Sequence, residues 1–124
     1  SRSILGRAAA AMAGMLNSPT SVDRSQDRPI LTDTMFGVTT PCVETARAMA
    51  ESMGYEVLVF HAVGTGGEAM ESLVGDSLAV GVLDITTTEL ADELVGGVLS
   101  AGPDRLTAAG RAGIPQVVSV GALD

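Results

Sequence analysis

The sequence of 124 residues predicts an α/β fold: a Rossmann-like, doubly wound, mostly parallel sheet of about four strands with flanking helices. Three observations predict this fold. Strand-like and helix-like segments alternate from Pro29 onward. The segment Glu56–Ala62 is apolar almost throughout, as expected for a strand that has helices on both faces. The connections are short, so parallel strands joined by right-handed crossovers are expected.

A helix and a linker are predicted before this domain, which gives a division into residues 1–28 and 29–124. Apolar side chains recur at helical spacing over Ile4–Leu16, and both faces of this helix are expected to be covered by packing. The alternative is a dimerisation or inter-domain helix. The segment Asn17–Arg28 is polar and contains Pro19, which is typical of a surface linker.

The domain itself is predicted from alternating apolar and polar segments. Its expected strands are Ile30–Thr32, Glu56–Ala62, Leu78–Ile85 and Gln116–Val120. Its expected helices are Pro41–Met53, Glu68–Val74, Glu89–Val95 and Pro103–Arg111. Six acidic residues on these helices are expected to be mostly solvated: Glu44, Glu51, Glu68, Glu71, Asp92 and Glu93.

Composition and charge exclude several classes of function. The net charge is −8, and all seven basic residues are Arg. Without Lys there is no Walker-type phosphate lysine and no Schiff-base lysine, and the acidic balance argues against a nucleic-acid partner. No apolar run approaches the roughly 20 residues of a membrane span. A single cysteine excludes an internal disulfide and fits a cytoplasmic location.

The predicted loops at the carboxyl ends of the strands are rich in Gly and Thr. They are Asp33–Thr40, Val63–Gly67, Thr86–Thr88 and Gly121–Asp124. In doubly wound sheets, ligands bind outside this edge, and the N-termini of helices there attract anions. The sequence therefore predicts one anion- or nucleotide-binding edge.

The loop Gly64–Gly67 is the strongest candidate within this edge, because glycine backbone can approach a ligand closely and form nests of N–H groups. Its sequence matches neither G-x-G-x-x-G nor the Walker A pattern. The alternative is a tight strand-to-helix turn in which Thr65 and Glu68 form a capping box.

Threonines and two aspartates complete the candidate set. The hydroxyls of Thr39, Thr40 and Thr86–Thr88 are expected to hold phosphate or carboxylate oxygens, or else to serve as caps, with a second capping box from Thr86 to Glu89. Asp33 and Asp84 are expected to bind Mg²⁺, hold sugar hydroxyls or transfer protons. Their alternative role is hydrogen bonding in turns or caps.

His61 and Cys42 are the candidates for catalysis. His61 ends the second strand and could act as a general base, although a hydrogen-bonded core residue is the commoner role there. Cys42 lies in the first turn of a helix, where the dipole lowers a thiol pKa, although a small buried packing residue is the simpler interpretation. With one His and one Cys, a transition-metal site within the chain is not expected.

Four segments of these loops carry a family resemblance. They are TMFGVTTPCV (Thr34–Val43), FHAVGTGGEAME (Phe60–Glu71), GVLDITTTELAD (Gly81–Asp92) and SVGALD (Ser119–Asp124). The chain resembles, from Ile4 to Asp124, the family of the tomato mosaic virus resistance protein, whose bacterial members are labelled Tm-one-like ATP-binding proteins of uncharacterised function.

The resemblance implies a protein of two Rossmann-like domains, with this chain a fragment from the start of the second. It implies ATP as ligand and the companion Rossmann-like domain as a partner. It does not imply that this sequence shares the ability of the plant protein to inhibit a viral replication protein.

Three functions follow as hypotheses, and the first is a nucleotide-binding domain, with ATP as the nucleotide. The second is a metabolic enzyme acting on a small carboxylate or phosphorylated metabolite through His61 or Cys42. The third is a dimerisation or domain-docking module in a homo-oligomer. The ligand-binding residues expected for the first are Asp33, Thr34, Thr39, Thr40, Gly64, Thr65, Gly66, Gly67, Asp84, Thr86, Thr87, Thr88 and Gly121.

Overall fold

The computed structural model describes residues 2–18 and 27–123 as five helices and four strands. The helices are α1 (Arg2–Asn17), α2 (Thr40–Ser52), α3 (Thr65–Gly75), α4 (Thr88–Val95) and α5 (Ala108–Ala112). The strands are β1 (Ile30–Met35), β2 (Glu56–His61), β3 (Gly81–Thr86) and β4 (Gln116–Gly121). A single 3-10 turn, Gly37–Thr39, separates β1 from α2.

The four strands form one parallel sheet in the order β2-β1-β3-β4. The chain leaves β1 toward β2 on one side and leaves β3 toward β4 on the other. The topological switch point, where a doubly wound sheet binds its ligands, therefore lies between the carboxyl ends of β1 and β3. The predicted α/β Rossmann-like fold is confirmed.

Helices cover the two faces of the sheet unequally. The main core lies on the face covered by α3 and α5, where Met70 and Val74 of α3 pack against Val82 of β3 and Ala108 and Ala109 of α5. On the other face, Val43 and Ala50 of α2 are buried against β1 and β2. The small Ala and Val side chains allow this close packing of helix on sheet.

The N-terminal helix is present as predicted, but none of the residues of α1 is buried. The expectation that both its faces are covered is therefore not met by the described residues. Most of the predicted linker, residues 19–26, lies outside the residues that the structure describes, as does Asp124. Within the described ranges, no helix is long and apolar enough to cross a membrane.

Two strand boundaries differ from the prediction by three residues each, and three others differ by one residue. β1 continues to Met35, because all six of its residues pair in register with β2, so Asp33 and Thr34 lie inside a strand and not in a loop. β3 begins at Gly81 and not at Leu78. The residues before it close a turn after α3, in which Ser77 has a positive φ and the Leu78 N–H donates to the Leu73 carbonyl.

All five helix starts also differ from the prediction, those of α1, α2 and α4 by one or two residues. The predicted helix over residues 103–111 is reduced to α5, because Leu106 has a φ of 71°, which breaks the helix before Ala108. α3 begins at Thr65 with Gly64 as its N-cap, so the predicted Thr65–Glu68 capping box is wrong. α2 begins at Thr40, one residue earlier than predicted.

Candidate functional site at the carboxyl edge of the sheet

The switch-point crevice between β1 and β3 is closed by the chain itself. The 3-10 turn after β1 places the Thr39 hydroxyl 2.7 Å from the hydroxyl of Thr86 at the end of β3. Behind it, a Cβ added to Gly121 of β4 would lie 2.8 Å from the Thr39 methyl carbon and 2.2 Å from the Ile85 carbonyl oxygen. Gly121 is therefore required for this close contact and does not face an open ligand site.

The buried threonines at this edge hydrogen-bond across the strands. The Thr34 hydroxyl donates to Asp84 Oδ1 (3.2 Å) and accepts from the Thr86 N–H (3.0 Å). The Thr86 hydroxyl donates to the Thr34 carbonyl (2.9 Å), and the Thr87 hydroxyl donates to the Ser119 carbonyl (2.8 Å). These hydroxyls bond to groups on the neighbouring strands and so join β1, β3 and β4. Thr40, whose hydroxyl donates to the Phe36 carbonyl (3.2 Å), and Thr88 are half-buried at the rim.

The glycine loop binds an anion that belongs to the chain. The N–H groups of Gly64 and Gly67 both donate to Oε1 of Glu89, at 2.7 and 3.1 Å, and Glu89 is fully buried. The predicted N–H nest exists, and a carboxylate from α4 occupies its inner part. Because Glu89 turns toward this loop, the predicted Thr86–Glu89 capping box is wrong.

One arginine holds three carboxylates beneath this loop, in what we call the Arg105 cluster (Arg105, Glu71, Asp84 and Glu89). Arg105 Nε donates to Glu89 (2.8 Å), Nη1 to Glu71 (3.2 Å) and Nη2 to Asp84. Burial alone would lower the pKa of Arg105, but the hydrogen bonds and charges of Asp84 and Glu89 outweigh it and raise that pKa above its ordinary value. The guanidinium therefore stays charged and fully engaged.

Two of the acidic residues expected to be solvated are bound to backbone instead. Glu71 accepts hydrogen bonds from the Leu106 and Ala108 N–H groups, at 2.7 and 2.8 Å, and so caps the start of α5. Asp92 accepts from the Leu99 N–H at 2.6 Å. Both therefore anchor the long connection between α4 and β4.

The outer rim of the glycine loop remains open. The N–H groups of Thr65 and Gly66, in the first turn of α3, have no acceptor within the described residues, and the Thr65 side chain is exposed. His61 is also exposed at this rim, with its ring centroid 5.5 Å from that of Phe36. The interpretation of His61 as a hydrogen-bonded core residue is therefore wrong.

Asp33 lies apart from the other candidates. Its side chain is fully buried, and neither carboxylate oxygen has a hydrogen-bond partner in the described chain. Burial is the main cause that raises the pKa of Asp33 to about 7; the neighbouring Thr34 backbone N–H opposes the rise, and the charge of Asp84 adds to it. This fully buried carboxyl group is a poor Mg²⁺ ligand.

Asp33 and Asp84 project from opposite faces of the sheet. Thr34, the neighbour of Asp33 in β1, bonds to Asp84, and side chains alternate along a strand. The two carboxylates therefore do not share one ion. In residues 2–18 and 27–123, no group of three or more His, Cys, Asp or Glu residues is arranged to hold a metal ion.

Cys42 lies on the surface at the start of α2. The interpretation of this thiol as a buried packing residue is wrong, and its assignment as a nucleophile stays a prediction. Sequence reasoning missed the two residues that organise the edge, Glu89 and Arg105. The Thr86-x-x-Glu89 spacing predicted a capping role for Glu89 and not a contact with the glycine loop. Arg105 follows Pro103 and Asp104, and no sequence motif marks it.

The close approach of Gly66 to the end of β2 can be tested by measuring stability. A Cβ at Gly66 would lie 1.8 Å from the His61 carbonyl oxygen, whereas a Cβ at Gly75, at the other end of α3, meets nothing within 4 Å. We expect Gly66→Ala to lower the free energy of unfolding by about 3 kcal/mol and Gly75→Ala to change it by less than about 1 kcal/mol. Urea denaturation measures both, and equal effects would contradict the close approach.

Comparison with known proteins finds one matching family model and relatives in bacteria and in tomato. Residues 28–124 match the family model described as "Uncharacterised protein family (UPF0261) C-terminal domain". The chain is 54% identical over 124 residues to a UPF0261 protein of Clostridium tetani and 52% identical over 124 residues to one of Mesorhizobium japonicum. It is 48% identical over 130 residues to the ToMV resistance protein Tm-1(GCR237) of Solanum lycopersicum.

These alignments include the whole chain but only part of each relative. The chain spans 30% of the length of the two bacterial proteins and 17% of the length of the tomato protein.

Proposed function

We propose that this chain, which belongs to the uncharacterised protein family UPF0261, binds a small anion, the phosphates of a nucleotide such as ATP, at the rim of the glycine loop. One observation carries the proposal: the loop Gly64–Gly67 already binds an oxyanion through two N–H groups, the carboxylate of Glu89. Two further N–H groups, those of Thr65 and Gly66, lie at the same helix start and have no acceptor in the described chain.

The side chains at this rim suit an oxyanion better than a metal. The exposed Thr65 hydroxyl can donate to a phosphate oxygen beside the two free N–H groups. The exposed His61 imidazole lies at the end of the neighbouring strand, which keeps an enzymatic role in proton transfer compatible with the same rim. Mg²⁺ does not fit Asp33 and Asp84, because they lie on opposite faces of the sheet.

A triphosphate requires more positive charge than this edge supplies. Arg105 is engaged by three carboxylates, while Arg47 and Arg111 are paired on the surface with Glu51 and Asp104. In the longer relatives, residues outside this chain have to provide the remaining cations. This role fits the companion Rossmann-like domain.

Calorimetric titration of the full-length protein with ATP, with and without Mg²⁺, tests the proposal. We expect Thr65→Val, which removes the hydroxyl but keeps the shape, to weaken binding about tenfold, the value of one hydrogen bond to a charged group. Thr45→Val on α2 is the matched control, because that hydroxyl bonds to its own helix at Pro41. Gly66 variants are unsuitable, since they disturb the fold.

Two results would contradict the proposal. One is the absence of binding heat for folded wild-type protein under both conditions. The other is identical ATP affinity for Thr65→Val and Thr45→Val.

A further inference from the structure

Two aromatic rings meet at the carboxyl edge of the sheet, inside the matched domain. Phe36 directly follows β1, His61 ends β2, and their ring centroids lie 5.5 Å apart with planes inclined by 38°. The distance is that of an ordinary aromatic pair, but the inclination shows that the rings do not stack face to face on each other. Neither ring belongs to the buried core, although this chain has only two Phe, one Tyr and no Trp.

The backbone of both aromatic residues is fixed by hydrogen bonds. The Phe36 N–H donates to the Thr39 hydroxyl (2.9 Å), while the Thr39 N–H and the Thr40 hydroxyl donate to the Phe36 carbonyl, at 3.0 and 3.2 Å. The His61 carbonyl accepts from the Val63 N–H at 2.8 Å. The ring pair is therefore preorganised, and a ligand that binds to it does not have to order its backbone.

The ring pair adjoins the proposed phosphate site. Gly66 packs so closely on His61 that a Cβ added to Gly66 would lie 1.8 Å from the His61 carbonyl oxygen. The N–H groups of Thr65 and Gly66 therefore stand beside the residue that carries one of the two rings. In a nucleotide, a single sugar separates the base from the first phosphate. A nucleotide whose phosphates bind to these N–H groups can thus place its base on the rings.

We propose that Phe36 and His61 form a base-binding platform and that this platform takes a purine. The inference rests on the proposed binding of nucleotide phosphates at the rim of the glycine loop. An aromatic ring stacks on the flat face that every nucleobase has, and the side chain of Phe36 has no polar atom that could read the edge of a base. Because purines have the larger face, the platform favours ATP and GTP alike over CTP.

Calorimetry on the full-length protein with ATP and with inorganic tripolyphosphate tests the platform, because the second ligand lacks a base. We expect Phe36→Leu, which keeps an apolar side chain but removes the ring, to weaken ATP binding about tenfold and to leave tripolyphosphate binding unchanged. Phe36→Tyr keeps the ring and should retain the wild-type affinity for ATP. Tyr55→Leu is the matched control and should change neither affinity, because Tyr55 is also half-buried but precedes β2, at the opposite edge of the sheet.

Base preference gives a second readout. Wild-type protein should bind ATP and GTP with similar affinity and CTP more weakly, and Phe36→Leu should abolish this preference. Unchanged ATP affinity in Phe36→Leu, or an equal loss for ATP and tripolyphosphate, would overturn the platform while leaving the phosphate site in place. If the phosphate site itself is wrong, Thr65→Val leaves the affinity for both ligands unchanged. If folded wild-type protein binds neither ligand, both proposals fail.

Discussion

Replacement of Arg105 by methionine is expected to lower the free energy of unfolding by about 3 to 5 kcal/mol. The side chain of Arg105 is 1% exposed and is the shared donor to Glu71, Asp84 and Glu89, of which the last two are fully buried. Methionine fills much of the same volume but leaves buried carboxylates without their cation. The loss is a large part of the stability of an ordinary domain, about 5 to 15 kcal/mol.

The matched control for this prediction is Arg111→Met. Arg111 pairs with Asp104 at 2.7 Å, but both side chains are more than two-thirds exposed, so water screens the pair and its loss should cost less than about 1 kcal/mol. Urea unfolding followed by circular dichroism compares the two variants. Equal losses for both variants would contradict the role assigned to Arg105.

The fold was predictable because it depends on periodicity, which the sequence shows directly. Apolar strands alternate with helices whose apolar residues recur at helical spacing, and Gly residues stand near the helix ends. The strand order was not predictable, because each strand carries similar apolar patterns and nothing in β1 or β3 marks it as central. The order decides where the switch point lies, and so which loops face one another.

The location of the candidate site at the carboxyl edge of the sheet was predictable, but the hydrogen bonds between its residues were not. Polar residues next to a strand, such as Asp33 and Thr34, indicate a loop when read locally. In the structure these residues extend β1, because Thr34 finds hydrogen-bond partners on β3 that are 50 and 52 residues away in sequence. Arg105 and Glu89 likewise bind partners that are distant in the chain. No local pattern reports such pairings.

The N–H groups of the glycine loop bind a carboxylate of the chain itself, and binding of an external ligand there stays a prediction. Glycine-rich backbone at a helix start predicts an anion, and an anion is bound there. That anion is Glu89, held from its other side by Arg105, so the inner N–H groups stiffen the junction of β2, α3 and α4. An external ligand is left with the outer N–H groups, which narrows the proposed site to the start of α3.

Replacement of Asp33 by asparagine is expected to remove a pH dependence of stability. The pKa of Asp33 is about 7 in the folded chain against an ordinary value of 3.8. Between these two pH values the unfolded chain has lost the proton that the folded chain keeps. The contribution of Asp33 to stability is therefore full at low pH, falls as pH rises through this window, and stays lost above pH 7, by about 4 kcal/mol.

The difference in unfolding free energy between Asp33→Asn and wild type isolates this effect, since all other titrating groups are common to both. We expect Asp33→Asn to gain stability relative to wild type steadily from about pH 4 to pH 7, and the difference to be constant above that. Asp76→Asn, at an exposed position after α3, controls for the chemical change itself. Parallel stability curves for Asp33→Asn and wild type would contradict the raised pKa of Asp33, because they would mean that this carboxyl group binds its proton equally tightly in the folded and the unfolded chain. A loss of stability of Asp33→Asn relative to wild type with rising pH would contradict it as well, because that sign requires a folded pKa below the ordinary value.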